Sequence, residues 1–448
     1  MMRAIGLGIV AIAVASACGT HGASASNDVP DASAPDAQAL HPCTLASAGA
    51  ATILLALDAR HISAPQMTVL DPGSPTVPAT VAVQAFANAS LTGIPDDIEL
   101  ARARIGGAWP AGVAIDRPPL LVGELALGFA QLSSSPPSAG GLAIAWHREE
   151  IGVGTPRFRA FDATTWTAGD VVVLAMKGDS VLSLVPSADG YGVAWRDLNA
   201  PGVGPVTALV AILDARGTTV RGPFVAAGPG DYPGPAPSIA SVGGRYVVAT
   251  GFKDCGFGDH NCVARSVVLA TIGAQAIARV AMIPALDAAT APGRVAIASY
   301  GDRSWIAWSE GDPKNDKAPR TVRFAALDAR GIPVGEPVTL ATNAHMITTA
   351  SIAASDIGVV VTWAESGIVA IPQTAPGSSR VVVRHIGTDG VLAEPALVVD
   401  ATFVDTYGPP TSVTIASPRG ALVMWAGRSS RDGDPDVAWL ARLDCAAP

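Results

Sequence analysis

The sequence has few charged side chains and no basic tract. Only 15% of its 448 residues are Asp, Glu, Lys or Arg, and the formal net charge is −9. Non-specific binding to nucleic acid depends on clustered Lys and Arg that neutralise phosphates, so the composition argues against a nucleic-acid partner. Because 49% of the residues are hydrophobic, the chain can still build a large buried core.

The apolar run at the N-terminus, residues 4–14, is shorter than the roughly 20 residues of a membrane-spanning helix. It follows Arg3 and precedes the small residues 15–17, which is typical of a cleaved secretory signal peptide. Cys18 then stands at the first position of the mature chain. These residues resemble the lipobox of bacterial lipoproteins, although Ala15 occupies the place where Leu is commonest.

The resemblance implies an exported protein in which the thiol of Cys18 carries the lipid and anchors the chain to a membrane. Gly19 after the cysteine implies delivery to the outer membrane or cell surface, with the periplasmic side as the alternative. Residues 19–42 are mainly Ala, Ser, Asp, Pro and Gly without apolar periodicity, which is typical of a flexible tether. We therefore predict a signal peptide at 1–17, lipid attachment and tether at 18–42, and a folded domain at 43–448.

Cysteines are scarce, and in an oxidising compartment those that carry no lipid are expected to pair. With Cys18 acylated, Cys43, Cys255, Cys262 and Cys445 remain, and three pairings are possible. Cys255 and Cys262 enclose a short loop, so we expect them to pair with each other. Cys43, at the start of the folded part, would then meet Cys445 near its end.

An apolar strand that ends in a large side chain recurs about every 50–60 residues. A shorter apolar strand precedes it, and two more strands follow, joined by a tight turn such as the Asp-x-x-Gly of 214–217 and 328–331. The residues at the repeated position are Trp146, Trp195, Thr250, Trp308, Trp363 and Trp425. A repeated unit of four strands predicts an all-β fold, a β-propeller, with these tryptophans packed between blades.

The number of blades depends on the residues before Trp146. Residues 80–89 fit the recurring strand, and residues 99–116 align loosely with 157–174, which makes seven four-stranded blades; six is the alternative. Residues 52–60 are left over, and they suit the outer strand missing from the last blade after 442–445. The predicted Cys43–Cys445 bridge would lock that closure. In architecture alone, the chain resembles propeller-like bacterial lipoproteins.

Motifs of catalysis are missing. The sequence contains no HExxH pair, no GxSxG elbow, no Walker loop and no Ser-x-Asp-x-Gly-x-Thr-Trp motif of sialidase-like propellers. Asp432, Asp434 and Asp436 alternate along the chain and could chelate Ca²⁺, but Pro435 interrupts the run and an acidic surface turn is the alternative. We predict no other cofactor.

The charged insertions all fall between the second and third strands of the blades, and loops held by a rigid scaffold often carry function. The loops are 147–156, 196–205, 252–262, 309–320, 364–380 and 426–437. We predict a monomeric, non-enzymatic envelope protein that binds an unidentified protein or glycan through this face. The alternative is a propeller enzyme, a glycan lyase or hydrolase with its site at the central channel, because such sites leave no local motif.

Overall fold

A computed structural model describes most of the strands and the tight turns between them. The described residues are 43–45, 51–53, 61–71, 79–88, 97–105, 113–121, 131–134, 141–150, 153–175, 179–187, 190–197, 207–227, 231–233, 237–254, 264–273, 276–312, 320–344, 350–365, 380–393, 395–400, 412–417, 420–428 and 436–445. All of them belong to one unit, residues 39–448. They form strands and turns, and none of them belongs to an apolar helix long enough to span a bilayer.

The strands are numbered in chain order, beginning with β1 (Thr44–Leu45) and β2 (Ala51–Ile53). Blade 1 contains β3 (His61–Asp71), β4 (Ala79–Asn88), β5 (Asp97–Ile105) and β6 (Val113–Leu121). Blade 2 contains β7 (Gln131–Ser134), β8 (Gly141–Glu150), β9 (Val153–Asp162) and β10 (Thr167–Val173). Blade 3 contains β11 (Asp179–Ser187), β12 (Gly190–Asp197), β13 (Thr207–Asp214) and β14 (Thr219–Ala227).

The remaining blades repeat the arrangement. Blade 4 contains β15 (Asp231–Pro233), β16 (Ser238–Val242), β17 (Arg245–Asp254), β18 (Ala264–Ile272) and β19 (Ile277–Pro284). Blade 5 contains β20 (Ala291–Tyr300), β21 (Arg303–Gly311), β22 (Arg320–Leu327) and β23 (Val338–Ala344). Blade 6 contains β24 (Ser351–Ser355), β25 (Gly358–Glu365), β26 (Arg380–Ile386) and β27 (Leu397–Asp400). Blade 7 contains β28 (Ser412–Ser417), β29 (Gly420–Arg428) and β30 (Asp436–Asp444).

Within each blade the strands pair antiparallel in chain order, and in blade 4 both β15 and β16 pair with β17. The innermost strands contact one another around a ring in the order β3, β7, β11, β16, β20, β24 and β28, and β28 returns to β3. Several of them are rich in small residues, such as SIAAS in β24, which lets seven strands converge on one axis. The fold is therefore the predicted seven-bladed β-propeller.

The N-terminal strands complete blade 7. Residues 44–45 pair with Asp444 and Leu443 of β30, and residues 51–53 pair with Leu440, Trp439 and Ala438. The sequence predicted this closure for residues 52–60. The pairing is confirmed for 52–53, residues 54–60 lie outside the described part, and the contribution of β1 was not foreseen.

Each blade buries both faces against its neighbours. In β25, GVVVTWAE, all eight positions are buried, because the sheet is covered on both sides. Seven hydrophobic clusters each join two adjacent blades, and together they close the ring. The anchor tryptophans are among the largest fully buried side chains: Trp146, Trp195, Trp308, Trp363 and Trp425. Their predicted role in inter-blade packing is confirmed.

The turns between the third and fourth strands also contact the preceding blade. In blade 5, the carboxylate of Asp328 accepts hydrogen bonds from the backbone N–H groups of Arg330 and Ile332. Gly331 in this turn has φ +79°, and a Cβ there would lie 3.0 Å from Val247 of blade 4. The Asp-x-x-Gly signal therefore encodes both a left-handed turn and a close approach between blades.

Candidate functional site: the upper face and central channel

The upper face of the propeller is defined here as the face where the connections between second and third strands emerge. Because these second strands all run in the same direction around the ring, all the predicted charged insertions leave on this face. Most of five insertions lies outside the described residues, at 198–206, 255–263, 313–319, 366–379 and 429–435. The sixth prediction, a loop at 147–156, is wrong for most of its length, because residues 147–150 and 153–156 pair with each other as the ends of β8 and β9. The structure describes the strand ends that hold them.

The innermost strands supply few ionisable residues to the channel. Within their described lengths, the carboxylates are Asp71, at the end of β3, and Asp179, at the start of β11. Because these strands run in the same direction, the two residues lie at opposite ends of the channel. Arg294 lies in a β-bulge of β20, between Pro292 and Val295, and burial lowers the pKa of its guanidinium to about 10. It therefore stays charged at neutral pH.

A buried carboxylate near the upper face organises blade 5. The side chain of Glu310 is fully buried and accepts hydrogen bonds from Trp308 Nε1 at 3.1 Å and Arg323 Nη1 at 2.9 Å. Its other oxygen accepts bonds from the backbone N–H of Leu286 and from Thr290 Oγ1, both in the connection from blade 4. One carboxylate thus fixes the loop between two blades and compensates the charge of a buried arginine.

Blade 6 repeats part of this arrangement. Glu365 accepts hydrogen bonds from Trp363 Nε1 at 2.8 Å and from Arg380 Nε at 2.6 Å. The side chain of Glu365 is 8% exposed, whereas that of Arg380 is 50% exposed. The Glu365–Arg380 pair is therefore open to solvent on the arginine side, unlike the Glu310–Arg323 pair.

The structure brings together only some of the residues predicted as sites. Cys43 and Cys445 form the predicted disulfide, with an S–S distance of 2.07 Å. Cys18, Cys255, Cys262, Asp432 and Asp434 lie outside the described residues, so the lipid anchor, the second disulfide and the Ca²⁺ site stay predictions. Asp436 begins β30, where its backbone lies opposite that of Arg428 in β29. Among the residues described, no group of three or more His, Cys, Asp or Glu is placed to hold a metal ion.

The two acid–arginine pairs were missed by the sequence reasoning. Their signal is a Trp-x-Glu sequence at the end of the recurring strand, at 308–310 and 363–365, followed by an arginine 13 or 15 residues after the glutamate. The indole N–H and the carboxylate lie on the same side of the strand because side chains alternate with period two. The sequence analysis assigned these tryptophans to inter-blade packing alone, so the hydrogen bond from each indole N–H to a glutamate was not predicted.

No family model and no curated protein matches the sequence. Among solved structures, a protein of unknown function from Dyadobacter fermentans is 11% identical with a TM-score of 0.49, over 90% of this chain and 99% of that one. A polysaccharide lyase, Uly1, is 10% identical with a TM-score of 0.47, over 82% and 88% of the two chains. A sialidase of Streptococcus pneumoniae is 9% identical with a TM-score of 0.40, over 93% and 72%. The likeness is too distant to transfer an activity.

Proposed function

We propose that this chain is an exported, lipid-anchored propeller that binds an envelope glycan or protein through its upper face without catalysing a reaction. The observation that carries the proposal is the common direction of the second strands, which places every charged insertion on one face of a closed ring. A rigid frame that presents variable loops is the usual arrangement of binding surfaces.

Two features support a rigid frame beneath those loops. The Cys43–Cys445 bridge and strands β1 and β2 join the two ends of the ring. Glu310 holds the connection from blade 4 to blade 5 through Leu286 and Thr290. A preorganised surface of this kind loses less conformational entropy when a ligand binds.

The membrane anchor rests on the resemblance of residues 4–18 to a lipobox and has its own test. Wild-type protein should partition with membranes into detergent, and mass spectrometry of its N-terminal peptide should show an acylated Cys18. Cys18→Ser should release the protein into the soluble periplasmic fraction. A soluble wild-type protein with an unmodified N-terminus would refute the anchor.

Binding through the upper face can be tested with the detergent-solubilised mature protein against a panel of envelope polysaccharides. Saturable binding without new reducing ends or unsaturated products is expected. Replacing 366–379 with a short Gly-Ser linker should weaken binding at least tenfold, whereas the lower-face change Arg330→Ala should leave it unchanged. Release of products would refute a non-enzymatic role and favour a glycan lyase or hydrolase. Unchanged binding after the loop replacement would refute the assignment of the face.

A further inference from the structure

A groove of about 560 Å³ lies between blades 5 and 6 on the lower face, the face opposite the upper-face insertions. Its walls are parts of the connections between the third and fourth strands of these blades, 328–337 and 387–396, together with the end of the hairpin 301–303 of blade 5. The corresponding connection of blade 3 is shorter, 215–218. None of the lining residues adjoins an insertion, so the groove is separate from the upper face.

The groove is open to solvent between two connected walls. Val334 on the blade 5 wall is 62% exposed. On the opposite wall, a Cβ added to Gly390 would meet no atom within 4 Å. Arg303 Nη1 donates to the carbonyl of Thr388 at 2.9 Å and joins the walls at one place. Neighbouring sheets pack about 10 Å apart, so the groove suits an extended chain and not a helix about 10–12 Å wide.

The surface between the walls is largely apolar. It is formed by the end of β22 and the start of β23, with the lining side chains Phe324, Ala326, Leu327, Val334 and Val338. Most of these side chains are buried or half-buried, but Val334 is exposed. A ligand that covers Val334 with methylene groups would remove apolar surface from water, which favours binding.

The groove carries a negative charge that the protein leaves largely uncompensated. Asp328 pairs with Arg330 at 3.1 Å. Asp302 and Glu336 are exposed and make no hydrogen bond or ion pair with any residue that the structure describes. Arg303 is the only cationic side chain among the lining residues. The lining carboxylates are Asp302, Asp328, Glu336 and Asp389.

The two unpaired carboxylates lie on either side of the apolar surface. Asp302 is in the hairpin between the first and second strands of blade 5, whereas Glu336 directly precedes its fourth strand. Strands in a sheet are about 5 Å apart, so the backbones of these two residues are about 10 Å apart across the blade. The end of β22 lies between them.

We propose that the lower-face groove binds a linear aliphatic polyamine, with ammonium groups at Asp302 and Glu336 and the methylene chain over Val334. Such a molecule combines separated positive charges with an unbranched apolar chain, which is the combination that the groove complements. The volume falls within the range of about 300–1,000 Å³ that small-molecule pockets occupy. The site uses no upper-face residue, so it succeeds or fails independently of the proposed function.

The experiment is calorimetric titration of the mature protein with spermidine. The comparison ligands are hexaamminecobalt(III), which has the same charge and no methylene group, and trilysine, which has the same net charge on branched side chains. Saturable binding of spermidine is expected, about tenfold tighter than either comparison ligand and weaker at high salt. Equal binding of hexaamminecobalt(III) would overturn the role of the apolar surface. Equal binding of trilysine would overturn the polyamine assignment, and no saturable binding of spermidine would overturn the site.

The Asp302→Asn, Glu336→Gln double variant tests the two carboxylates. We expect the affinity for spermidine to fall about tenfold with little change in Tm, because both side chains are exposed and unpaired. Asp356→Asn is the matched control, since it changes an exposed carboxylate in the corresponding hairpin of blade 6, outside the groove. A similar loss of affinity in this control would show that only the net charge of the lower face matters, and would overturn the site.

Val334→Lys tests the apolar surface and remains decisive if the double variant lowers Tm. It places a cation where the methylene chain is proposed to lie, so the affinity for spermidine should again fall about tenfold. Val220→Lys in blade 3 is the control, because Val220 is 59% exposed and lies outside the groove. Unchanged affinity in either groove variant would overturn the proposal.

Discussion

Cys43 and Cys445 are joined by a disulfide although 402 residues separate them in the sequence, and their Cα atoms are 4.2 Å apart. The bridge lies in the hydrophobic cluster shared by blades 6 and 7, beside Trp425 and Leu443. It continues the pairing of β1 with β30. Covalent and hydrogen-bonded closure therefore occur at the same place in the ring.

The double change Cys43→Ser, Cys445→Ser should lower thermal stability. In the chain-entropy model a loop of this length contributes about 6 kcal/mol, and measured gains are often smaller. The measurement is a thermal melt of the double variant against wild-type protein, with non-reducing peptide mapping to identify the linked peptide. Wild type melted under reducing conditions is the control. Free thiols at both positions in exported wild-type protein would contradict the closure.

Glu310→Gln should destabilise the fold far more than Glu365→Gln. Removing the charge of Glu310 leaves the buried guanidinium of Arg323 without its counter-charge, which typically costs about 3–5 kcal/mol. Glu365 pairs with a half-exposed arginine, so its replacement should cost about 1 kcal/mol or less. Chemical denaturation of both variants measures the difference. Equal losses would show that the connection from blade 4 does not depend on Glu310.

Gly331→Ala and Gly335→Ala form a matched pair. Both glycines have φ +79°, so both substitutions carry a similar backbone penalty of about 1–2 kcal/mol. A Cβ at Gly331 would also lie 3.0 Å from Val247, whereas nothing lies within 4 Å of one at Gly335. The larger loss is expected at Gly331, measured by urea denaturation. Equal losses of stability in the two variants would mean that Val247 of blade 4 can move away from the new methyl group without a measurable cost in free energy.

Asp328 should make stability depend on acid pH. Burial opposes its ionisation, but hydrogen bonds from the backbone of Ile332 and Arg330 and from the Arg330 side chain hold the pKa of the carboxyl below its usual range. A lowered folded-state pKa stabilises the protein above the unfolded value of about 3.9, and the stabilisation is lost as the pH falls through the folded value.

Asp328→Asn should therefore be less stable than wild type at pH 7, and the gap should narrow as the pH falls toward 3. Thermal melts across this pH range measure the gap. Asp302→Asn, an exposed carboxylate on the same face, is the control for a general change in net charge. A gap that stays constant with pH would show that the turn hydrogen bonds do not favour the ionised form.

Short-range sequence patterns predicted much of the fold. The recurring strand ending at residues such as Trp363 predicted the blades, because a buried strand and its turns depend on short-range patterns of apolar residues, Asp and Gly. The spare strand near residue 52 and the cysteine count predicted the closure. The innermost strand of blade 1, β3, and the short strand β1 were not predicted, because the recurring strand of blade 1, residues 80–89, contains no tryptophan to set the register of the repeat, and β1 has only two residues.

The sequence by itself determined the repeated four-stranded unit, since strand periodicity is a property of the chain, and it predicted seven blades, with six as the alternative, and the Cys43–Cys445 pairing among three possible ones. Only the tertiary structure decided which side chains make the contacts between neighbouring blades. Arg323 and Val382 occupy equivalent strand positions, yet Arg323 donates a hydrogen bond to the carbonyl of Pro284 in the preceding blade, whereas Val382 packs in the hydrophobic cluster shared by blades 5 and 6. That difference depends on contacts with the preceding blade, some 40 residues away for Arg323, and strand patterns carry no information about them.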